Sequence, residues 1–285
     1  NDTFPVTFTV ASGDSLTRVS NNLQNQNLIR NRSVFKYFAD FMGFGQKIQA
    51  GEYTLSRSMT INQIADRLTS GDGRPIVRNI TVIPGWNIEN IADYLLKEGA
   101  VQDRALFLEK CRTGREFAAY YYIADVLSSP NAAQRKYVLE GYLAPDTYEV
   151  YTDASMDDII KKLLSQTEAV YKEPLHTRGE EIGLSMDQVI TLASLIEKEA
   201  KTSDFTRVSA VFHSRLRQNM ALGSDVTIKY ATGTTRMALN REDLAVQSPY
   251  NTYLYKGLPP GPICNPSPMA IQAALYPDEQ FLSEG

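Results

Sequence analysis

The sequence predicts an α+β protein: small strand–turn–helix modules at the N-terminal end, then a mixed α/β part built around one glutamate-bearing helix. Three observations carry this. Within the first third a pattern recurs, Phe8-Thr-Val-Ala-Ser-Gly-Asp-Ser-Leu16 aligning with Ile80-Thr-Val-Ile-Pro-Gly-Trp-Asn-Ile88. The register continues, with Val19 on Ile91, Leu23 on Leu95 and Asn31–Phe35 on Asp103–Phe107. Further along, apolar residues fall at helical spacing over 153–173, 185–200 and 204–219. From Ser248 the chain is rich in Pro, Tyr and Asn, which opposes regular helix until Met269–Leu275.

Each copy of the repeat reads as a short alternating strand, a Gly-containing turn and an amphipathic helix with its N-cap near Asp14 or Asn87, which suits a βααβ module. Thr60-Ile-Asn-Gln-Ile-Ala-Asp-Arg-Leu68 resembles Asn87–Leu95 and forms a partial third copy. Ala50-Gly51-Glu52-Tyr53 reads as a turn into a strand, and Ser70–Pro75 is the clearest linker. The expected boundaries are 1–75 for the N-terminal module, 76–138 for the second strand–helix repeat with a helical connection, and 139–285 for the remainder. The connection looks helical from about Ala105 to Lys136. Tyr120, Tyr121 and Tyr122 cannot all face a core, so one or two of them should be exposed. In the later helix, Val208, Val211, Phe212, Arg215 and Leu216 repeat at three and four.

The helix Gln188-Val-Ile-Thr-Leu-Ala-Ser-Leu-Ile-Glu-Lys-Glu-Ala200 ends in two carboxylates and a lysine. At about 100° per residue, Val189, Leu192, Ala193, Ile196 and Ala200 form one stripe, expected to be the buried face. Glu197 and Glu199 then fall on opposite shoulders, with Lys198 toward solvent, so this helix can offer one site only a single carboxylate. A carboxyl at the margin of a core can serve as a general acid near neutral pH. On these residues alone, an ordinary solvated helix end is the leading reading.

Composition excludes several classes. A hydrophobic share of 43% and a charged share of 22% are those of an ordinary globular protein, and a net charge of −4 gives no electrostatic case for nucleic acid or anionic lipid. Cys111 and Cys264 lie in no metal-ligand spacing and are expected to be buried free thiols. His176 and His213 are too few for a histidine metal site. No run of 18 apolar residues occurs, and the chain starts at Asn1 without an initiator Met, as a processed piece would.

Three further segments are specific in residue type. Leu139-Glu-Gly-Tyr-Leu-Ala-Pro-Asp-Thr-Tyr148 reads as a polar, turn-forming stretch. Met220–Tyr230 combines a turn at Gly223 with Ser224, Asp225 and Thr227, side chains suited to capping the next helix. Ser248-Pro-Tyr-Asn-Thr-Tyr253, followed by Gly257-Leu-Pro-Pro-Gly-Pro-Ile263, makes a stiff loop. There Tyr250, Asn251 and Tyr253 would offer the flat rings and amides that a sugar cleft needs.

In this order, Glu140–Tyr148, Leu192–Ala200, Ser224-Asp225-x-Thr227 and Ser248–Ile263 resemble the YceG-like family over roughly Val6 to Pro277. The resemblance implies an endolytic murein transglycosylase, a lyase that cuts the MurNAc-β-1,4-GlcNAc bond without water and leaves 1,6-anhydro-MurNAc ends. It implies a LysM-like N-terminal module ahead of the catalytic domain. Glu199 would be the catalytic acid and then base, with Glu197 supporting it. Asp146, Ser224, Asp225, Thr227, Tyr250, Asn251 and Tyr253 would line or brace the cleft. Asn251 and Asp225 are candidates for steadying charge at C1. No metal or cofactor is implied. The implied partners are peptidoglycan glycan strands and, as an open class, cell-wall synthases, without nucleic acid. The implied location is the extracytoplasmic face of the bacterial cytoplasmic membrane, reached through a single N-terminal anchor absent from this chain. Gly223, Val226 and Ser214 depart from the family pattern, which usually has Gln, Pro and Asn there; the family also tends to have a further strand after the helix near 270, and whether this chain is truncated before it stays open. Two other readings stay open: a non-catalytic peptidoglycan-binding scaffold, and a hydrolytic muramidase pairing Glu199 with Glu140 or Asp146.

Overall fold

The computed structural model describes residues 4–284. The elements are, in chain order, β1 (Val6–Val10), α1 (Leu16–Asn25), α2 (Arg32–Met42), β2 (Gly51–Leu55), α3 (Ile61–Thr69), β3 (Val77–Val82), α4 (Ile88–Lys97), α5 (Arg104–Thr113) and α6 (Tyr121–Ser128). There follow β4 (Asp146–Tyr151), α7 (Met156–Val170), α8 (Glu173–Glu181), α9 (Met186–Glu199), α10 (Phe205–Arg217), α11 (Asp225–Thr232), α12 (Arg241–Leu244), α13 (Pro268–Leu275) and α14 (Glu279–Glu284). The α+β class is met by helices around two small sheets, β1–β2 and β3–β4. The chain divides into two compact units, one running to Arg78 and including Glu149–Asp153, the other comprising Asn79–Tyr148 and the chain from Ala154.

In the first unit β1 pairs antiparallel with β2, Val6 opposite Leu55 and Val10 opposite Gly51. The period of two sends Phe8, Val10, Tyr53 and Leu55 inward, where they meet Val19, Leu23, Phe35, Ile64 and Leu68 in one core. The helices start where short polar side chains can accept the first free amides. Ser15 takes Arg18 N–H, Asn31 takes those of Ser33 and Val34, and Thr60 forms a capping box with Gln63. The expected linker at 70–75 does not simply leave this unit: Arg74 pairs with Glu52, adding a bridge beside β2.

The second copy repeats this layout. Asn87 and Asp103 cap α4 and α5, and Ile80, Val82, Ile91, Leu95 and Phe107 are all buried, like their counterparts Phe8, Val10, Val19, Leu23 and Phe35. Its return strand is β4, reached only after a long insertion. Thr152 N–H donates to the Ile76 carbonyl at 2.9 Å and Thr147 faces Thr81, which makes this sheet antiparallel too. The insertion is not one helix from 105 to 136. α5 stops at Gly114, whose φ of 60° and tight seat against Val138 suit only glycine, and the chain restarts at α6. Of the three tyrosines, Tyr121 is exposed, Tyr120 half-exposed and Tyr122 buried on Tyr142.

The stretch expected to be a polar turn, Leu139–Tyr148, is largely core. Leu139–Ala144 are all buried, because the chain here passes beneath α9. The single-stripe reading of α9 also fails. Every residue from Val189 to Ile196 is buried, since the helix packs against α6, α8, α10, α11 and α13. Ala200, counted into the stripe, is the half-exposed C-cap. Interior hydroxyls are spent inside: Ser194 Oγ donates to the Thr191 carbonyl at 2.7 Å and accepts from Ile263 N–H at 3.0 Å. That bond helps the irregular segment Pro259–Pro266 to be buried without strand or helix. In α10 the buried set is Phe205, Ser209, Ala210, Phe212 and His213, so the face is turned from the expected one and Val208, Val211, Arg215 and Leu216 are partly covered. Cys111 and Cys264 are free and buried, as expected.

Candidate active site

The C-terminal turn of α9 reaches solvent, and its three charged residues go three ways. Glu197, half-buried, accepts from Ser267 N–H at 2.9 Å and Ser267 Oγ at 2.5 Å; Ser267 in turn caps α13. Lys198 is exposed, but its Nζ donates to the Gly85 carbonyl at 3.3 Å. Glu199 is exposed and its Oε2 accepts from Ser224 Oγ at 2.9 Å. The two glutamates do diverge, as their spacing predicts. One is committed to holding a helix, and the other presents a carboxyl to solvent with a single hydroxyl behind it.

Ser224 sits at the N-cap of α11 yet makes no side-chain cap there. Its position is fixed from behind. Ser224 N–H donates to Thr252 Oγ1 at 3.0 Å and Gly223 N–H to the Thr252 carbonyl at 3.0 Å. Thr227, fully buried, donates to the Ser224 carbonyl at 2.7 Å and lies 3.0 Å from Thr252 Oγ1. Nearby, Tyr253 OH donates to Asp225 Oδ1 at 2.5 Å. Partial burial, that hydrogen bond and the charges of Asp225 and Glu199 push the Tyr253 hydroxyl up to about 12, so it stays a donor at neutral pH. Glu199, Ser224, Asp225 and Tyr253 therefore form one polar cluster, open to solvent at Glu199 and Tyr253.

The other residues singled out in the sequence stand behind this cluster or apart from it. Asn251 is fully buried. Its Nδ2 donates to the carbonyls of Leu244 and Val246, and its Oδ1 accepts from Tyr253 and Leu254 N–H, so it braces the loop and has no free edge. Tyr250 is 4% exposed and packs on Tyr230. Of the three residues expected to present rings and amides, only Tyr253 faces solvent, because Pro249 and the following turn fold the others under. Asp146 opens β4 and accepts from Gln166 Nε2 at 2.7 Å and from Thr147 N–H. Glu140 is 1% exposed, receiving Ile88 N–H at 3.1 Å, Tyr230 OH at 3.0 Å and Asn265 Nδ2 at 3.4 Å. Burial raises its carboxyl to about 8 against these donors. It closes the start of α4 from inside, out of reach of solvent.

Comparison with known proteins gives the family of the chain. The model of the YceG-like family matches residues 8–282, nearly the whole chain. This chain belongs to the YceG-like family. It is 33% identical to the endolytic murein transglycosylase of Bacillus subtilis over 96% of this chain and 76% of that protein. Against the endolytic murein transglycosylase of Streptococcus pneumoniae D39 the identity is 28% over 95% of this chain, which spans about half, 52%, of that relative. A crystal structure of a yceG-like protein from Listeria monocytogenes superposes with a TM-score of 0.63 at 29% identity, covering 96% of this chain and 90% of that one.

Sequence reasoning left Thr252 and Ser267 without a role, although Thr252 lies in a quoted segment and Ser267 just ahead of the expected helix. Thr252 belongs to the Ser-Pro-Tyr-Asn-Thr-Tyr run and Ser267 to the Asn-Pro-Ser-Pro helix start. Their signal was position beside motif residues, but their partners Ser224 and Glu197 are distant in the chain and become visible only on folding.

Proposed function

We propose that this YceG-like chain is an endolytic lytic transglycosylase of peptidoglycan, with Glu199 as its single catalytic acid and base. The neutral Glu199 carboxyl gives its proton to the glycosidic oxygen between MurNAc and GlcNAc, and the C1–O bond breaks. The carboxylate left behind takes the proton of the muramoyl C6 hydroxyl, whose oxygen closes onto C1 as a 1,6-anhydro ring. Atoms balance without water, and Glu199 ends as it began. Ser224 orients the carboxyl through both steps, and Asp225, held by Tyr253, steadies positive charge at C1. Asn251 acts at one remove by shaping the loop.

The observation that carries this reading is the lone solvent-facing carboxyl of the Glu-Lys-Glu end, held by Ser224, in a chain whose named relatives are murein transglycosylases. A two-carboxylate muramidase needs a second carboxylate in the site, either as nucleophile or to activate a water. Buried Glu140 and Gln166-bound Asp146 do not supply it, which leaves Asp225 as the group that would serve such a reaction. Mass spectrometry of the products from uncrosslinked glycan strands decides: anhydromuramoyl ends support the lyase, reducing muramic ends the hydrolase, and binding without soluble product a scaffold.

On this reading residues 1–75 are a LysM-like module that holds glycan, 76–138 carry the second module, closed by β4 from the next segment, with its connection, and 139–285 supply the catalytic residues. No helix among the described residues is long and apolar enough to cross a membrane. The substrate lies outside the cytoplasmic membrane, so the chain works on that side, tethered by one preceding N-terminal helix and near a cell-wall synthase. Protease accessibility of the tagged full-length protein in intact spheroplasts tests that orientation.

A further inference from the structure

The internal repeat contains its own control. Both copies leave the first strand through the same turn, with Asp14 N–H donating to the Ala11 carbonyl at 3.1 Å and Trp86 N–H to the Ile83 carbonyl at 3.2 Å. The third residue of each is a glycine with positive φ, 76° at Gly13 and 80° at Gly85. The residue two places after that glycine caps a helix in both, Ser15 and Asn87. Between glycine and cap the copies differ. The first has Asp14, its side chain folded back onto Ala11 N–H and Arg18. The second has Trp86, whose ring lies 5.3 Å from that of Tyr94, while the residue matching Tyr94 in the first copy is Asn22. The turn thus folds without aromatics, and the second copy carries two.

That aromatic pair sits on the turn attached to the end of α9. Lys198 Nζ donates to the Gly85 carbonyl, and a side chain at Gly85 would lie 3.7 Å from Glu197 Cγ. Asn265, fully buried, fixes the turn from the other side: it accepts from Gly85 N–H at 2.9 Å and donates to the Trp86 carbonyl from both its backbone N–H at 2.8 Å and Nδ2 at 2.9 Å. Tyr94 is locked as well, its hydroxyl accepting from Thr81 N–H at 2.9 Å. Trp86 is left half-exposed on a rigid base. An indole face held in this way, bolted to the turn that carries the reacting carboxyl, matches the C–H face of a pyranose.

We propose that Trp86, backed by Tyr94, is a glycan platform that holds a sugar ring of the strand beside the bond being cut. The proposal rests on the reading of the chain as a glycan-strand lyase. An enzyme that cuts inside a strand must grip it away from its ends, and a platform tied to α9 keeps that grip in register with Glu199.

Trp86 is the sole tryptophan of the chain, so its emission reports on this site alone. The Glu199→Gln protein, titrated with uncrosslinked glycan strands and excited where tyrosine does not absorb, should show a saturable emission shift whose midpoint tracks the wild-type KM. In wild type, Trp86→Ala should raise KM about tenfold and leave kcat within about threefold, and Trp86→Phe should restore most of the affinity. Cleavage by wild type with no emission change in the Gln variant would overturn the platform and leave the lyase reading standing. Emission change with no cleavage would sink the lyase reading and keep the platform. A fall in kcat at unchanged KM in Trp86→Ala would also overturn it, because a platform acts on binding.

Discussion

Ser224 stands at the N-cap of α11 but turns its hydroxyl onto Glu199 Oε2, 2.9 Å away. An N-cap serine ordinarily spends its oxygen on the amides of its own helix. Here the C-terminal end of α9 and the N-terminal end of α11 meet through one hydrogen bond, and the helix gives up its cap to make it. Backbone dipoles at the start of α11 favour negative charge, which suits the carboxylate left after proton donation.

Glu199→Gln should lower anhydromuramoyl product formation by about 10³-fold or more while leaving the fold intact, because the side chain is exposed. Single-turnover assays on glycan strands with a parallel thermal melt check both parts. Retained activity would remove Glu199 from the mechanism.

Ser224→Ala should reduce kcat by about 10- to 100-fold with KM little changed, since the lost bond orients the reacting group and not the sugar. Stability should fall by no more than about 1 kcal/mol, because Ser224 makes no cap bond to lose. A kcat equal to wild type would show that the carboxyl needs no such support.

Glu197→Ala should behave oppositely to Glu199→Gln. Two hydrogen bonds to Ser267 are lost at the start of α13, which packs on α9, and the cost should be about 1–3 kcal/mol in a urea titration. Activity should track the folded fraction. A stable but inactive Glu197→Ala would mean the roles of the two glutamates are exchanged.

Glu140 makes stability depend on pH. Burial holds its folded carboxyl near 8, whereas the unfolded chain ionises near the ordinary glutamate value of about 4.3, so the native state binds the proton more tightly. Its contribution is therefore fully present below about pH 4.3 and is lost as pH rises toward 8, on the order of a few kcal/mol across that window. Glu140→Gln should flatten this slope in urea midpoints measured at pH 5 and pH 8. Equal slopes in both proteins would refute the assignment.

Gly141→Ala should be among the most damaging small substitutions, about 3 kcal/mol or more. Gly141 has φ +87°, and an added Cβ would lie 2.5 Å from Pro262 and 2.9 Å from Ile190 Cγ2. Thermal melting reads this directly; a melt within a degree or two of wild type would show that this contact can relax.

What could be read from the chain was local. The cap at Asn87, the Gly-containing turns of the two copies and the alternation of Phe8 and Val10 each depend on neighbours within a few residues, so pattern alone found them. The Glu-Lys-Glu end was equally legible as divergent side chains, since helix geometry sets the angle between Glu197 and Glu199 whatever surrounds them.

The rest depended on contacts between residues far apart in sequence. Nothing within α9 says that five helices enclose it, so one apolar stripe was expected where the whole circumference is buried. The closing strand of the second repeat lies beyond an insertion, and strand pairing leaves no local mark on β3. Which glutamate faces solvent was decided by Ser267 and Ser224, each brought from another segment to claim one carboxylate. By itself the sequence determined the modules, the family and the residue types available for chemistry, because these follow from short-range geometry and ordered motifs. Only the tertiary structure decided which of those residues touch. Hydrogen bonds and burial that join distant segments are properties of the packed chain, and in Glu199, Glu197, Glu140 and Asp146 they gave four similar carboxyls four different surroundings.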